Sequence, residues 1–424
     1  MRKILFIAPH FPPSNLAAVH RTRLFARHLP AFGWEPQVLT VHERYYEETP
    51  DWELMKLVPA SLRVYKVKAF PLTRPRLIGD LGLRAFFQLY KAARKIIKTE
   101  QIEFLYIPIP SFYPALLGRW LHARTGVKYG IDYIDPWVHV FPGSEKVFSR
   151  HWFSTRLARF LEPIAVRKAA LITGVASGYY EGVLERNPYL ADQTVRGAMP
   201  YGGEEEDHRF VRSGNCRSYL FEKKSDKLQL VYAGALLPKA YGLLQLLFET
   251  IRLNPELFRD VEFHFIGTGK PDASGMTVIE NMARSGSVWQ SVVFEHPRRI
   301  PYLDVLVHIH EAAGAFILGS TEPHYTPSKT YQAVLSRKPI WAILHKESSA
   351  ARVMQETNSG LVYTFGQLTE PSAMRGEMAD SFRQYRNFFA TYDPRQVDMT
   401  LFESYSAREV TGRLAEMLNQ IVPL

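Results

Sequence analysis

The sequence predicts two consecutive α/β domains, each a doubly wound, Rossmann-like parallel sheet with helices on both faces. The chain has 424 residues, which is more than one ordinary hydrophobic core accommodates. Short apolar runs alternate with longer amphipathic segments, as in βαβ units, and this alternation stops near residue 200 and then starts again. We expect the two domains to face each other across a ligand cleft, lined by loops at the carboxyl ends of the strands.

The first alternation assigns residues 1–202 to an N-terminal domain with six strands. Runs rich in Ile, Val, Leu and Phe predict strands at 3–8, 36–41, 63–67, 104–107, 128–131 and 170–174. Helical spacing of apolar residues predicts helices at 19–32, 81–98, 114–124 and 152–168.

The second alternation assigns residues 227–403 to a C-terminal domain. A glycine turn followed by four acids (YGGEEED, 201–207) breaks the rhythm, so we assign 203–226 to a linker. Strands are predicted at 228–233, 261–266, 292–295, 315–318, 340–343 and 360–363, and helices at 242–253, 301–312, 327–336 and 348–356. A last helix, at about 404–424, could pack back onto the first domain.

The basic character of the chain belongs to its first half. The formal net charge is +10, and residues 1–200 hold 28 Lys and Arg against 16 Asp and Glu, whereas the remainder holds 24 against 26. A half this basic favours an anionic partner, such as phospholipid headgroups, a diphosphate-bearing acceptor or nucleic acid. Because the sequence has no zinc-finger, helix-turn-helix or RNA-recognition signature, we expect no nucleic-acid partner.

The sequence indicates a cytoplasmic protein. Cys216 is the only cysteine, which excludes an intramolecular disulfide and fits a reducing compartment. The apolar run 4–8 is too short for a signal peptide, and no stretch approaches the ~20 apolar residues that span a bilayer. Two segments, 81–98 and 147–168, interleave apolar with basic residues. They could lie on the inner face of an anionic membrane or pack their apolar faces on the sheet. The oligomeric state is left open.

Six segments carry motifs in a fixed order along residues 1–365. They are ILFIAPHFPP at 4–13, GWEPQVLT at 33–40, DYIDPW at 132–137, YAG at 232–234, IGTG at 266–269 and PSKTYQ at 327–332, the last followed by Lys338-Pro339. Together they resemble family 4 (group 1) glycosyltransferases, which have the GT-B fold of two Rossmann-like domains. The resemblance implies a retaining transferase, without metal or cofactor, that takes a sugar from a UDP- or GDP-linked nucleotide sugar. Its acceptor would be a saccharide or a lipid-linked compound in the synthesis of a surface polysaccharide or glycolipid.

The segment at 326–332 also suits a diphosphate on physical grounds. We expect Thr326 to cap a helix whose first residue is Pro327. The backbone N–H groups of Ser328, Lys329 and Thr330 would then be free at the positive end of the helix dipole, and Lys329 adds a charge. The alternative is an ordinary capped helix with a solvated lysine.

The resemblance extends the nucleotide-sugar site to six further residues. They are Asn15, Gly234, Lys239, Gly267, His324 and Gln332. The family carries acids at the positions of His324 and Gln332 and an arginine at that of Ala235, and glutamine lacks the charge-assisted hydrogen bonds of glutamate. The alternatives are therefore a catalytically inactive GT-B binding or scaffold protein, and a sugar-nucleotide epimerase or phosphorylase.

The segment at 132–137 follows a predicted strand and is expected to enter the cleft. Asp135 is the candidate to orient or deprotonate the acceptor hydroxyl. Asp132, His139 and Arg21 are candidate acceptor contacts. The alternatives are that Asp135 caps a turn before a proline and that Arg21 lies on a solvated helix surface.

We predict no metal site. The sequence has no acid-x-acid motif between an apolar strand and a turn. His308 and His310 are two residues apart on a predicted helix, so they point to different faces. We therefore expect helix N-termini and lysines, instead of a divalent ion, to neutralise the diphosphate.

Overall fold

The chain folds into two compact units, each built on one parallel sheet. The computed structural model describes residues 1–73, 78–138, 146–214, 217–271, 275–367 and 370–423. The first unit comprises Met1–Gly202 and Ala407–Leu424, and the second comprises Gly203–Ser406. Every paired strand runs parallel to its neighbour, as the βα alternation predicts.

The first unit holds a seven-stranded sheet. Its strands are β1 Arg2–Ile7, β2 Trp34–Val41, β3 Arg63–Val67, β4 Phe104–Ile109, β5 Lys128–Tyr133, β6 Leu171–Gly174 and β7 Val195–Ala198. Its helices are α1 Ala17–His28, α2 Leu81–Arg84, α3 Phe86–Glu100, α4 Ala115–Thr125, α5 Arg150–Val166, α6 Glu181–Arg186 and α7 Leu190–Gln193. The strand order is β3-β2-β1-β4-β5-β6-β7.

The second unit holds a six-stranded sheet. Its strands are β8 Leu228–Ala233, β9 Val261–Ile266, β10 Val293–His296, β11 Gly314–Leu318, β12 Ile340–His345 and β13 Gly360–Phe365. Its helices are α8 Glu205–Ser213, α9 Tyr241–Leu253, α10 Val278–Ser285, α11 Tyr302–Glu311, α12 Lys329–Leu335, α13 Ser349–Glu356, α14 Pro371–Ala390 and α15 Met399–Glu403. The strand order is β10-β9-β8-β11-β12-β13. Short 3₁₀ turns in the two units lie at Leu29–Phe32, Glu43–Tyr45, Trp52–Leu57, Ser177–Tyr179, Pro238–Ala240 and Pro394–Gln396.

Strand β1 shows why apolar runs identify these strands. Leu5 and Ile7 are buried in a core that contains Leu89 of α3, whereas Ile4 and Phe6 are buried in a second core. Alternate side chains of a strand point to opposite faces, so both faces of the first sheet are covered. A strand buried on both faces needs an unbroken apolar run.

The sequence pattern misses β7. This strand has four residues, lies at the edge of the first sheet and is only partly buried. Its sequence, VRGA, carries no apolar run. Short and polar edge strands of this kind avoid pairing with other chains, and they leave little periodicity to detect.

The C-terminal helix, α16 Ala407–Ile421, belongs to the first unit. Its Val410, Leu414 and Leu418 are buried in the core that holds Ile4 and Phe6. It therefore covers the face of the first sheet opposite to α3. None of the described helices is both long and apolar enough to cross a bilayer.

Residues 205–213, within the predicted linker, form helix α8 of the second unit. The acids that suggested a linker occupy its first turn, where negative charge suits the positive end of the helix dipole. Glu204 precedes the helix, and its carboxylate accepts from Glu206 N–H at 3.3 Å. Asp207 accepts a hydrogen bond at 2.9 Å from the Tyr302 hydroxyl of α11. This corrects the linker prediction, because the acids start a packed helix.

Candidate functional site

The second sheet has a topological switch point between β8 and β11. Parallel α/β sheets bind ligands at such a point, beyond the carboxyl ends of the strands. Gly234 N–H, just after β8, donates to the carbonyl of Ile266 at 2.9 Å. Leu236 N–H donates to the carbonyl of Thr268 at 3.2 Å. These bonds fix the loops after β8 and β9 side by side at the edge where a ligand is expected.

Lys329 and Gly234, both predicted from the sequence, meet at this edge. Lys329 is the first residue of α12, and a Cβ atom built on Gly234 would lie 2.7 Å from its Nζ. Gly234 also has a φ of +137°, a conformation that favours glycine. The absence of a side chain at residue 234 therefore makes room for the Lys329 ammonium group.

The Lys329 ammonium group has no neutralising partner among the residues that the structure describes. It has no hydrogen bond or ion pair with any residue in the described ranges. Part of the side chain reaches solvent, but enough protein surrounds the ammonium group to change its ionisation. Desolvation, together with the nearby positive charge of Arg299, lowers the pKa of Lys329 to about 8. A desolvated cation of this kind is suited to an anionic ligand.

Lys239, the second predicted lysine, is paired with an acid. Its Nζ lies 2.6 Å from Glu322 Oε1, and both side chains are about one-third exposed. Its backbone carbonyl accepts from Thr321 N–H at 3.2 Å, which ties the loop after β8 to the loop after β11. A phosphate group would have to compete with Glu322 for the Lys239 ammonium group.

The start of α12 differs from the prediction. The helix begins at Lys329, and the Thr326 hydroxyl lies 2.6 Å from Ser349 Oγ instead of capping it. Thr330 N–H donates to the Pro327 carbonyl at 3.1 Å, and the buried Thr330 hydroxyl has no hydrogen-bond partner among the described residues. Thr326 as N-cap and Thr330 as a phosphate contact are therefore corrected. The half-buried Ser328, whose hydroxyl does not cap the helix, stays available to a ligand.

Gln332 is engaged by a chain of polar side chains. Its Oε1 lies 2.8 Å from His208 Nε2, and His208 Nδ1 lies 2.9 Å from His310 Nε2. Burial lowers the pKa of each histidine to about 4, so both are neutral near pH 7. Because an amide oxygen only accepts, His208 Nε2 donates to Gln332, and His310 Nε2 donates to His208. His208 therefore uses one of the two lone pairs of the Gln332 carbonyl oxygen, and the other lone pair and the amide nitrogen are left to bind a ligand.

Gly267 and His324 lie in loops at the same sheet edge. Gly267 follows β9 with a φ of +72°, and its N–H donates to the carbonyl of His296 at 2.8 Å. His324 is half-buried between β11 and α12, and its carbonyl accepts from the Thr326 hydroxyl at 3.4 Å. The structure thus brings the predicted second-unit residues to one edge, where Lys329 is a cation without an ion-pair partner in the described ranges.

Arg21 and Asp132 form a buried ion pair in the first unit. Arg21 Nε and Nη2 donate to the two carboxylate oxygens at 2.5 and 3.0 Å, and neither side chain is exposed. Arg21 Nη1 also donates to the carbonyls of Met199 and Pro200, both at 2.8 Å. Thr173 Oγ1 donates to Asp132 at 2.8 Å. These groups satisfy one another inside the protein, which corrects the prediction that Arg21 and Asp132 contact an acceptor.

Three candidates of the first unit remain, and two of them lie in loops that the structure describes. Asp135 is exposed in the loop after β5. Asn15 is half-buried after β1, and its Nδ2 donates to Asp51 Oδ2 at 3.4 Å. His139 lies outside the described residues.

The structure reveals a histidine–carboxylate pair that sequence reasoning missed. His10 Nδ1 lies 2.9 Å from Glu48 Oε1, and the ring of His10 packs on Tyr46 at 5.1 Å. Glu48 also accepts from the Ser14 hydroxyl. Burial alone would raise the pKa of Glu48, but the bonds from His10 and Ser14 lower it to about 2. A carboxylate that holds Nδ1–H leaves Nε2 as a hydrogen-bond or proton acceptor.

Little in the sequence identifies these missed residues. His10 stands directly after the first predicted strand, which is a weak signal for a site. Its partner Glu48 lies 38 positions further on, and nothing in the pattern links the two. His208 escaped because the helix that carries it was assigned to a linker.

The fold is shared with many solved structures, among them the following three. A glycosyltransferase from Rickettsia africae is 13% identical, with a TM-score of 0.64 that covers 100% of this chain and 99% of the other. Sucrose-phosphate synthase from Thermosynechococcus elongatus is 13% identical, with a TM-score of 0.64 and 99% of each chain covered. HepE from Anabaena, in complex with UDP-glucose, is 12% identical, with a TM-score of 0.63 that covers 99% of this chain and 100% of the other.

These likenesses confirm the predicted fold class, GT-B with two parallel-sheet α/β domains. No family model and no curated protein sequence matches the chain significantly. Membership of glycosyltransferase family 4 therefore stays a prediction.

Proposed function

We propose that the protein is a glycosyltransferase that moves a sugar from a UDP- or GDP-linked nucleotide sugar to a saccharide or lipid-linked acceptor. The observation that carries this function is the Lys329 ammonium group, which lies against Gly234 at the switch point of the second sheet and has no ion-pair partner in the described part of the chain. A desolvated cation at this position suits a diphosphate. The fold shared with HepE, which was solved with UDP-glucose, supports a nucleotide sugar as the donor.

The chemistry assigned to this site is stabilisation of the leaving group. When the bond between the sugar and the diphosphate breaks, negative charge develops on the diphosphate, and a protonated Lys329 compensates it. Ser328 can donate through its hydroxyl and Gln332 through its amide nitrogen. In this proposal no divalent ion is required, so turnover should persist in the presence of a metal chelator.

The first unit supplies two candidates for the acceptor hydroxyl. Asp135 is exposed after β5, and His10 carries an Nε2 atom oriented by Glu48. Either group can accept a hydrogen bond from the hydroxyl that attacks the sugar. We extend the resemblance to retention of configuration at the anomeric carbon, which proton NMR of the product measures directly.

The cellular setting is a further part of the proposal. A basic first half and a lipid-linked or saccharide acceptor suit the synthesis of a surface polysaccharide or glycolipid at the inner face of a membrane. Product analysis with lipid-linked and free saccharides as acceptors distinguishes the two acceptor classes.

Calorimetric titration with UDP and GDP tests the donor site. Lys329→Ala should weaken nucleotide binding roughly 10–100-fold, because a hydrogen bond to a charged group contributes about 1.5–3 kcal/mol. Lys227→Ala is the matched control, since Lys227 precedes the same strand that Gly234 follows. Unchanged binding after Lys329→Ala would rule out this site, and a wild-type protein that binds neither nucleotide would overturn the function.

The pH dependence of binding gives a second readout of Lys329. Its pKa of about 8 means that the ammonium group is protonated below that pH. UDP affinity should therefore decrease as the pH rises above 8, since only the protonated form attracts the diphosphate. Lys329→Arg, which keeps its charge, should remove this decrease. A wild-type affinity that is constant from pH 7 to 10 would contradict the assigned role.

A binding or scaffold protein is the second candidate function. The bond between Gln332 and His208 favours it, because it engages a residue that the resemblance assigns to the nucleotide-sugar site. Incubation with a panel of nucleotide sugars and possible acceptors, followed by detection of free UDP or GDP, separates the two functions. Nucleotide binding without any release of nucleoside diphosphate would favour the scaffold.

A further inference from the structure

Helix α5 exposes a continuous apolar stripe. Phe153, Leu157, Phe160 and Ile164 are 54%, 44%, 68% and 39% exposed. Their spacing of four, three and four residues places them on one face of the helix. Scattered apolar residues are common on protein surfaces, but four that are aligned along three turns form a patch that a soluble monomer rarely leaves uncovered.

The opposite face of α5 fixes the helix to the first unit. Ala158, Glu162 and Ala165 are buried, and the helix packs along α4. Both carboxylate oxygens of Glu162 accept from Arg186, at 2.8 and 2.9 Å. The exposed stripe is therefore not required for folding and is held in a defined orientation.

The turn before α5 extends the apolar surface. Val147 and Phe148 are 62% and 76% exposed. The ring of Phe148 lies 5.5 Å from that of Trp152 and 6.2 Å from that of Phe153. Aromatic rings at the end of an exposed stripe are typical of segments that enter the interface between water and lipid.

Cations flank the stripe. Arg156, Arg159, Arg167 and Lys168 are exposed. The only acid of the helix is the buried Glu162. Helix α5 thus combines exposed apolar side chains with exposed cations and no exposed acid, which complements a negatively charged layer above an apolar one.

Helix α3, the other segment in which apolar and basic residues alternate, behaves differently. Leu89, Ala93 and Ile96 are buried in the core of the first unit. Its exposed side includes Lys91, Arg94, Lys95 and Lys98, and Phe87, 61% exposed, is a single apolar side chain there and not a stripe. The apolar face of α3 therefore packs on the sheet, whereas that of α5 does not.

We infer that α5 and the turn before it form a membrane-binding surface, which lies in the headgroup region of an anionic bilayer. Phe153, Leu157, Phe160 and Ile164 enter the acyl boundary, and the flanking cations contact lipid phosphates. A single interfacial helix of this kind binds reversibly, and its affinity increases with the anionic lipid content. This surface does not depend on the proposed sugar transfer.

Co-sedimentation with vesicles tests the inference. The full chain is mixed with vesicles of phosphatidylcholine alone or with added phosphatidylglycerol. Wild type should bind the anionic vesicles, and binding should weaken as salt is raised. Phe153→Ser with Phe160→Ser should weaken binding roughly 100-fold, because two exposed aromatic side chains lose their burial in lipid.

Matched charge reversals separate insertion from general electrostatic attraction. Arg156→Glu with Arg159→Glu on α5 should weaken vesicle binding tenfold or more, roughly the loss of two headgroup contacts. Lys91→Glu with Arg94→Glu on α3 makes the same change of charge and should reduce binding less than about threefold. All substituted side chains are exposed, so thermal unfolding and UDP titration should match wild type.

Three results would overturn the membrane surface. The first is a wild type that does not bind anionic vesicles. The second is an equal loss of binding in the α3 and α5 charge variants, because the attraction would then belong to the whole basic half. The third is a wild-type dimer in light scattering that dissociates on Phe153→Ser with Phe160→Ser, since a second copy would then cover the stripe. Because UDP titration is measured separately, failure here is distinguishable from failure of the donor site.

Discussion

At the scale of single residues, Gly234 is needed for two reasons: its backbone conformation favours glycine, and a side chain there would meet Lys329. A second glycine separates the two effects. Its φ of +137° strains any other residue, and a Cβ would lie 2.7 Å from the Lys329 ammonium group. Gly269 has a similar φ of +152°, but a Cβ there would meet no atom within 4 Å. Gly234→Ala and Gly269→Ala should each reduce the free energy of unfolding by about 1–3 kcal/mol. Gly234→Ala should weaken UDP binding in calorimetry more than Gly269→Ala does, because it displaces Lys329. Equal UDP affinity in the two variants would contradict a role for the contact.

Asp132 and Asp135 lie three positions apart, and we expect substitution of the first to reduce stability and substitution of the second to reduce turnover. Asp132→Asn leaves the buried Arg21 guanidinium without its counter-ion, so we expect the free energy of unfolding to fall by about 3–5 kcal/mol. Asp135→Asn changes an exposed carboxylate and should alter stability by less than about 0.5 kcal/mol while reducing turnover. Urea unfolding measures the first effect and nucleotide release the second. A stable Asp132→Asn protein with a raised acceptor KM would restore Asp132 as an acceptor contact.

At the scale of elements, one hydrogen-bonded chain joins α8, α11 and α12. His208 of α8 lies between Gln332 of α12 and His310 of α11 and bonds to both. Since desolvation keeps both histidines neutral, the chain needs no charge inside the protein. The same bonds position the start of α12, which carries Lys329. We therefore expect the stability of this helix cluster to influence donor binding.

The histidine chain makes the second unit sensitive to acid. Burial lowers the pKa of His208 to about 4, whereas a histidine of the unfolded chain titrates near 6.5. Between these values the unfolded chain binds more protons, so the free energy of unfolding should decrease as the pH falls from about 6.5 to about 4. Glutamine at position 208 cannot titrate. Over this pH range the free energy of unfolding of His208→Gln should therefore decrease less than that of wild type, with a difference of up to ~3 kcal/mol. Urea unfolding at several pH values measures this, and His151→Gln on the exposed surface of α5 is the control. The same pH slope in wild type and His208→Gln would contradict the mechanism.

At the scale of the whole molecule, a donor site at one sheet edge should protect one set of loops. Hydrogen–deuterium exchange of the full chain with and without UDP tests this. Exchange should slow in the loops that follow β8, β9 and β11 and at the start of α12. Loops at the opposite edge of the second sheet, such as residues 254–260, should be unaffected. Protection confined to that opposite edge would place the nucleotide elsewhere.

Motifs that depend on a short stretch of chain could be predicted, and those that depend on distant partners could not. Lys329 was predicted because it stands at the start of a predicted helix, and Gly234 because its strand-end motif resembles that of the family. Arg21 and Asp132 were also selected, but as acceptor contacts. They are 111 positions apart, and no local pattern shows that they bury each other's charge.

The two basic amphipathic helices show the same limit at the scale of elements. Both helices carry apolar residues at helical spacing between cations. This pattern is the same whether the apolar face is buried in the core or exposed to solvent. Leu89 of α3 is buried, whereas Phe160 of α5 is 68% exposed. The difference arises because α3 turns its apolar face to the sheet, whereas α5 is anchored through Ala158 and Glu162 on its other side.

The sequence by itself determined the class of the protein: two parallel α/β sheets, twelve of the thirteen strands found in the described residues, and the segments at their carboxyl ends. These follow from periodicity and glycine turns, which are local properties of the chain. Only the tertiary structure decided which charges remain for a ligand: among the described residues it leaves Lys329 unpaired, whereas Arg21 and Lys239 have carboxylate partners. Pairing decides this because a charge that is neutralised within the protein is less available to a ligand, and the partners of such pairs are separated by tens to hundreds of residues.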